Sequence, residues 1–141
     1  MADELHISTQ AWLAKARSDL RSAAILSTAE SPLYDTAIYH CQQAAEKAVK
    51  AFLHFHGAHV QRTHHVTRLV EAAAVIETTF SSFVDDADLL SPLATAFRYP
   101  DESDWNAPLQ PSEEEHEEAH AAARRIYDFV LSVLPPETHP V

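Results

Sequence analysis

Glycine occurs once in the 141 residues, at Gly57, and cysteine once, at Cys41. Sandwiches and small barrels use glycine in their many tight turns, so a chain with a single glycine argues against them and favours helices joined by short polar links. One cysteine permits no intramolecular disulfide and no thiolate zinc site, and it fits a reduced, cytoplasmic setting. No apolar run is long enough to cross a bilayer, and the start Met1-Ala2-Asp3-Glu4 lacks the basic and apolar stretches of a signal peptide, so the expectation is a soluble, unexported protein. Basic residues are also few, with ten Lys/Arg against 21 Asp/Glu and a formal net charge of -11. The deficit is uneven: residues 1–70 carry seven Lys/Arg against six Asp/Glu, and residues 71–141 three against fifteen, so the halves stand at +1 and -12. Such a balance disfavours tight non-specific binding to nucleic acid, which depends on counterion release by clustered cations. A local basic site around Lys47, Lys50, Arg62, Arg68 and Arg98 remains open.

What the chain does have is helical periodicity. Its length suits one domain with one core over residues 1–141, with 1–7 and 135–141 expected as flexible tails. The expected fold is all-α, an up-and-down bundle of about five helices. The first is predicted from about Ser8, a possible cap, to Thr28, with Trp12, Ala16, Leu20, Ala23 and Ile25 on or near one face. The second follows Ser31-Pro32, read as a cap and a first-turn proline, and stops at Gly57. A third is predicted over Thr63 to Ile76, and a fourth over Asp85 to Phe97 that Ser91-Pro92 must bend or split. After a proline-rich loop from Tyr99 to Gln110, a capping box at Ser112-Glu113-Glu114-Glu115 opens the last helix, and Pro135-Pro136 ends it.

The second helix is the most informative. Tyr34, Ile38, Cys41, Ala45, Ala48, Phe52 and Phe55 recur at steps of four and three and form a core stripe. Ala37, Ala44 and Ala51 form a second row, small enough for another helix to approach closely. The remaining side, with His40, Gln43, Lys47, Lys50 and His54, is a continuous polar strip open to solvent or to a ligand. The run Tyr39-His40-Cys41-Gln42-Gln43-Ala44-Ala45-Glu46-Lys47-Ala48 resembles the signature helix of the HEPN domain family. Two later segments agree in order and spacing. Arg62-Thr63-His64-His65-Val66-Thr67-Arg68-Leu69 is similar to the family's Thr-His-Asp-Leu segment, and Arg98-Tyr99-Pro100-Asp101 to its Arg-Tyr-Pro-Asp segment. With Trp12 and Asp19-Leu20 on the first helix, the likeness spans most of the chain.

This resemblance implies a homodimer that binds nucleotide or RNA beside a separately encoded minimal nucleotidyltransferase, in a toxin-antitoxin or stress-defence setting. It implies no cofactor. The family's nuclease toxins cleave RNA without metal, using an arginine, four to six intervening residues and a histidine. Here the chain departs from the pattern, because the positions after Arg98 are Ser103, Asp104 and Trp105. Cleavage needs a proton-transfer group near the reacting oxygens and a cation for the charge that develops on phosphorus. Arg98 can supply the cation, and His64 or His40 the base if the fold or a second subunit brings it alongside. A ribonuclease with a relocated base is therefore the alternative, and a pure interaction module using Trp105 and the acidic last helix is the third.

Each candidate residue also has a structural reading. Tyr39, His40, Gln43 and Lys47 form a ligand strip, or they bond to neighbouring helices or a dimer mate. Glu46 and Lys50 read as a helix-stabilising i,i+4 pair. His64 touches a phosphate or caps the preceding helix. Arg98 and Asp101 pair across a turn, or Arg98 faces a nucleotide. The ten histidines raise the question of metal, but Gly57 breaks the spacing of His54, His56 and His59, and His116 and His120 read as surface residues, so no metal site is expected.

Overall fold

The computed structural model describes residues 3–141, and among them there are five α-helices and no strand. Helix α1 spans Glu4–Ser27, α2 Tyr34–Phe55, α3 Val66–Ile76, α4 Val84–Leu90 and α5 Glu113–Ser132. Short 3₁₀ turns cover Thr78–Phe83, Ser91–Ala94 and Pro136–Thr138. No described helix is long and apolar enough to cross a membrane.

Helix α2 is the centre of the bundle and packs against α1, α3 and α5. Ile38, Cys41, Ala45, Ala48 and Phe52 are buried, and so is the row Ala37, Ala44, Ala51, so the helix is covered on two sides as its two stripes require. Small residues recur on the neighbours as well, with Ala16 and Ala23 on α1 and Ala119, Ala122 and Ala123 on α5 fully or almost fully buried. Alanine at these positions lets helix backbones approach closely. Larger side chains fill the end of the bundle near the α2 C-terminus. Phe52 meets Phe80 at 4.6 Å between ring centroids, and Phe80 meets Phe129 edge-on at 4.9 Å, which ties α2, the first 3₁₀ turn and α5 together.

Several helix ends differ from the sequence expectation, most for a local reason and one through a distant contact. Helix α1 begins at Glu4 because Asp3, not Ser8, is the cap, its carboxylate accepting from the His6 N–H at 2.8 Å. Ser8 lies one turn inside and its hydroxyl is 2.6 Å from His54 Nε2. Helix α2 begins at Tyr34, beyond Pro32, with no cap from Ser31. Its first orphan N–H is satisfied from far along the chain, with Tyr34 N donating to Gln110 Oε1 at 2.9 Å. At the other end, Gly57 sits at φ +70°, and Gly57 N and Ala58 N donate to His54 O and Leu53 O, a Schellman ending. Helix α3 starts at Val66, three residues later than expected, because Thr63 Oγ1 accepts from His65 N in a local turn.

The predicted fourth helix is split as Ser91-Pro92 requires, but it ends sooner, with α4 giving way to the 3₁₀ turn that closes at Ala94. The capping box at the start of α5 is present in both directions: Glu115 N donates to Ser112 Oγ and Ser112 N to Glu115 Oε1. Residues after Pro135 do not hang free as a tail. Thr138 is buried, His139 Nε2 donates to the Leu131 carbonyl at 2.8 Å, and the His139 carbonyl accepts from Gln10 Nε2, so the segment is hydrogen-bonded to α1 and α5. His139 Nε2 also reaches the Leu134 carbonyl at 3.2 Å, so its ring adds a side-chain bond to the carbonyls where α5 ends.

Candidate functional site

Two adjoining clefts meet at one wall, built where the face of α2 opposes the chain leaving the last 3₁₀ turn before α5. The wall is Tyr39 and Arg98, with the guanidinium carbon 4.5 Å from the centre of the tyrosine ring. No carboxylate pairs with Arg98 among the described residues. The preceding residue, Phe97, has φ +61°, a left-handed conformation that a bulky side chain adopts only under local strain. Arg98 therefore follows directly from a strained backbone position, as functional side chains often do.

The first cleft, about 390 Å³, is lined by Tyr39, Gln43, His64, Thr95, Arg98 and Tyr99 among others. The second, about 270 Å³, lies across the wall and is lined by Asp35, Thr36, Tyr39, His40, Phe97 and Arg98. The structure thus brings Arg98, His64, Tyr39 and Gln43 together in one cleft and places His40 in the next.

Below the first cleft lies Glu46, only 4 % exposed. Its carboxylate accepts from His64 Nδ1 at 2.9 Å, Lys50 Nζ at 3.0 Å, Gln42 Nε2 at 3.1 Å and Gln43 Nε2 at 3.4 Å. Burial alone pushes this carboxyl up, but the bonds from His64, Lys50 and Gln42 outweigh it and hold Glu46 below the usual carboxylate range. A carboxylate only accepts, so Nδ1 of His64 donates, and in the neutral tautomer this leaves Nε2 as the basic nitrogen. Gln42 Nε2 also donates to the His64 carbonyl at 2.7 Å, which fixes backbone and ring together although the His64 side chain is 73 % exposed.

The second cleft repeats the device. His40 Nδ1 meets Asp19 Oδ1 at 2.8 Å, and Lys47 Nζ meets Asp19 Oδ2 at 2.6 Å, so a buried carboxylate on α1 fixes both an imidazole and an ammonium on α2. Lys47 is consumed by this pairing. It lines neither cleft, lying instead beside a third hollow with Trp12 and Lys15.

Asp101 is not joined to Arg98. Its Oδ1 accepts from Ser103 N and Ser103 Oγ, and these bonds hold the carboxyl below its usual range. It borders a separate hollow with Tyr99 and Gln110. His116 also departs from expectation, being 5 % exposed beneath Tyr34, whose ring stacks on it at 5.5 Å. Burial keeps its imidazole below the ordinary histidine value, and Nδ1 has no partner among the described residues. Among the described residues no three His, Cys, Asp or Glu side chains gather as a metal ion would need. Sequence reasoning missed the buried roles of Glu46 and Asp19. The signal for Glu46 lay in Gln42, Glu46 and Lys50 recurring every four residues inside an otherwise apolar helix.

An all-helical bundle with a polar cleft on its second helix, faced by an exposed arginine and a carboxylate-held histidine, defines the class. A family model described as HEPN domain matches residues 9–133. The chain belongs to the HEPN domain family. The crystal structure of TT1696 from Thermus thermophilus is similar, with TM-score 0.74 and 30 % identity over 89 % of this chain and 98 % of that one. The crystal structure of ST0689, an archaeal HEPN homologue, has TM-score 0.69 and 29 % identity over 88 % of this chain and 95 % of that one. No curated protein matches the chain.

Proposed function

We propose that this HEPN domain is a homodimeric, cytoplasmic module that binds nucleotide or RNA, with a phosphate seated at Arg98. Its partner in this reading is a minimal nucleotidyltransferase, in a toxin-antitoxin or stress-defence system. The observation that carries the reading is Arg98 itself, an exposed guanidinium stacked on Tyr39 and free of any paired carboxylate among the described residues, with five donors suited to phosphate. Gln43 Oε1 and the exposed Nε2 edge of His64 add polar groups in the same cleft. Family membership supports the dimer and the partner. Calorimetric titration with nucleotides and short RNAs, beside light scattering, tests it. Saturable binding that is lost in Arg98→Ala is expected, and a strictly monomeric protein with no binding heat would refute it.

The Glu46–His64 pair favours a second reading, a metal-independent ribonuclease. A carboxylate on Nδ1 fixes the tautomer and leaves Nε2 to take a proton from a 2′-hydroxyl, while Arg98 stabilises the charge that develops on phosphorus. The family's Arg-to-His spacing is absent, so His64 is the relocated base and Arg98 the cation in this reading. It predicts cleavage of labelled RNA in chelator, abolished in both Arg98→Ala and His64→Ala. Undiminished cleavage in both variants would mean a contaminating nuclease.

A further inference from the structure

The two clefts share their wall, and the wall carries the unpaired guanidinium. We infer that Tyr39 and Arg98 form a phosphate clamp between two nucleoside subsites, so that the ligand is a single-stranded oligonucleotide of at least two residues, and that Asp35 selects a base with an exocyclic amino group in the second cleft. This rests on the phosphate-binding reading of Arg98 and specifies its ligand.

Size gives the first step. At about 390 and 270 Å³ the clefts are near or below the lower end of the range of about 300–1,000 Å³ usual for small-molecule pockets, so each suits one nucleoside and neither suits more. Position gives the second. Arg98 lines both clefts, so a phosphate that it holds has one neighbour on each side. Single strands are held by such cations together with aromatic faces on which bases stack, and each side has one: Tyr99 in the first cleft and Phe97 in the second, with Tyr39 common to both.

The clefts differ in their polar equipment. Gln43 Nε2 is engaged by Gln42 and Glu46 and His64 Nδ1 by Glu46, so the first cleft is left with Gln43 Oε1 and His64 Nε2, uncharged groups that discriminate less among bases than a carboxylate does. Asp35 makes the second cleft selective. Its Oδ1 accepts from Thr36 N at 2.8 Å, and Oδ2 has no partner among the described residues. An ionised carboxylate only accepts, so it favours the amino group of cytosine or adenine over the carbonyl that uracil presents at the same place.

The test compares binding of CpC, UpU, CMP and UMP to the full chain by calorimetry, using wild type, Asp35→Asn and Arg98→Ala. Asparagine preserves the acceptor for Thr36 N, and circular dichroism checks that the helix is intact. CpC is expected to bind at least tenfold more tightly than CMP, and at least fivefold more tightly than UpU. Asp35→Asn should bring the CpC to UpU ratio close to one, and Arg98→Ala should weaken both dinucleotides at least tenfold. If CMP binds as tightly as CpC and both need Arg98, the second subsite is refuted while the phosphate site stands. An unchanged CpC to UpU ratio in Asp35→Asn refutes the selectivity. If none of the four ligands binds, the phosphate-binding reading falls and this inference with it.

Discussion

Replacing Glu46 by alanine is the sharpest test of how the site is held. The substitution removes an acceptor that serves four donors and leaves Lys50, 8 % exposed, without its partner carboxylate. Breaking a buried ion pair from one side costs about 3–5 kcal/mol, mostly because the remaining charge is stranded. Total stability of a domain is about 5–15 kcal/mol, so Glu46→Ala should shift the urea midpoint far to the left with little change in slope. The stranded charge can be removed in turn. Lys50→Met on the Glu46→Ala background should recover about 1–3 kcal/mol, since an apolar chain then occupies the space of the ammonium stem. The pH dependence has a fixed sign. Glu46 holds its proton less readily folded than unfolded, so its contribution is complete above the ordinary value of 4.5 and fades as the pH falls below it. Unfolding curves at about pH 7 and about pH 3.5 should therefore differ less for Glu46→Ala than for wild type. A loss under about 1 kcal/mol at neutral pH, or a double variant no more stable than the single one, would refute the stranded-charge account.

Other consequences are more local. Gly57→Ala should cost about 1 kcal/mol in urea unfolding, all of it from backbone, because φ is +70° and a Cβ there meets nothing within 4 Å. Cys41 is buried, and burial pushes its thiol up to about 12, so a thiol reagent should leave native protein unmodified and titrate one thiol in denaturant. His116→Leu should raise stability by about 1 kcal/mol at neutral pH by removing an unpartnered buried nitrogen. Its advantage should grow below the unperturbed value of 6.5, where the unfolded chain takes up a proton that the buried imidazole resists; an unchanged difference at about pH 5 would count against this. Phe52→Ala should cost about 3–5 kcal/mol in the same unfolding assay, since it opens the aromatic cluster with Phe80.

The core was legible in the sequence because apolar spacing is set by the helix repeat alone: both stripes of α2 are buried along their length, and only the end members Tyr34 and Phe55 are part-exposed. Tyr39, His64 and Arg98 lie on three separate segments of the chain, and only the resemblance suggested that they meet. The pairs that hold the site were harder to see. Asp19 acts on His40 and Lys47 from another helix, 21 and 28 residues earlier, and no local spacing encodes that meeting. Glu46 was visible as a partner of Lys50, but that pairing is the one an isolated helix would make, and it concealed the bond to His64. Helix starts failed for two reasons: at α1 and α3 a different nearby side chain, Asp3 or Thr63, took the local bond, and at α2 the bond came from Gln110, outside any local window.

That last contact has a consequence for synthesis. Gln110 lies 76 residues beyond the N–H that it accepts from, and Asp35 and Thr36 of the second cleft sit in the same first turn of α2. As the chain leaves the ribosome, α2 can form early from its own propensity, but this turn lacks its anchor until the loop before α5 has emerged. The second cleft needs Phe97 and Arg98 as well as this turn, so it is among the last surfaces to be completed, and until Gln110 emerges water must serve the Tyr34 N–H in its place.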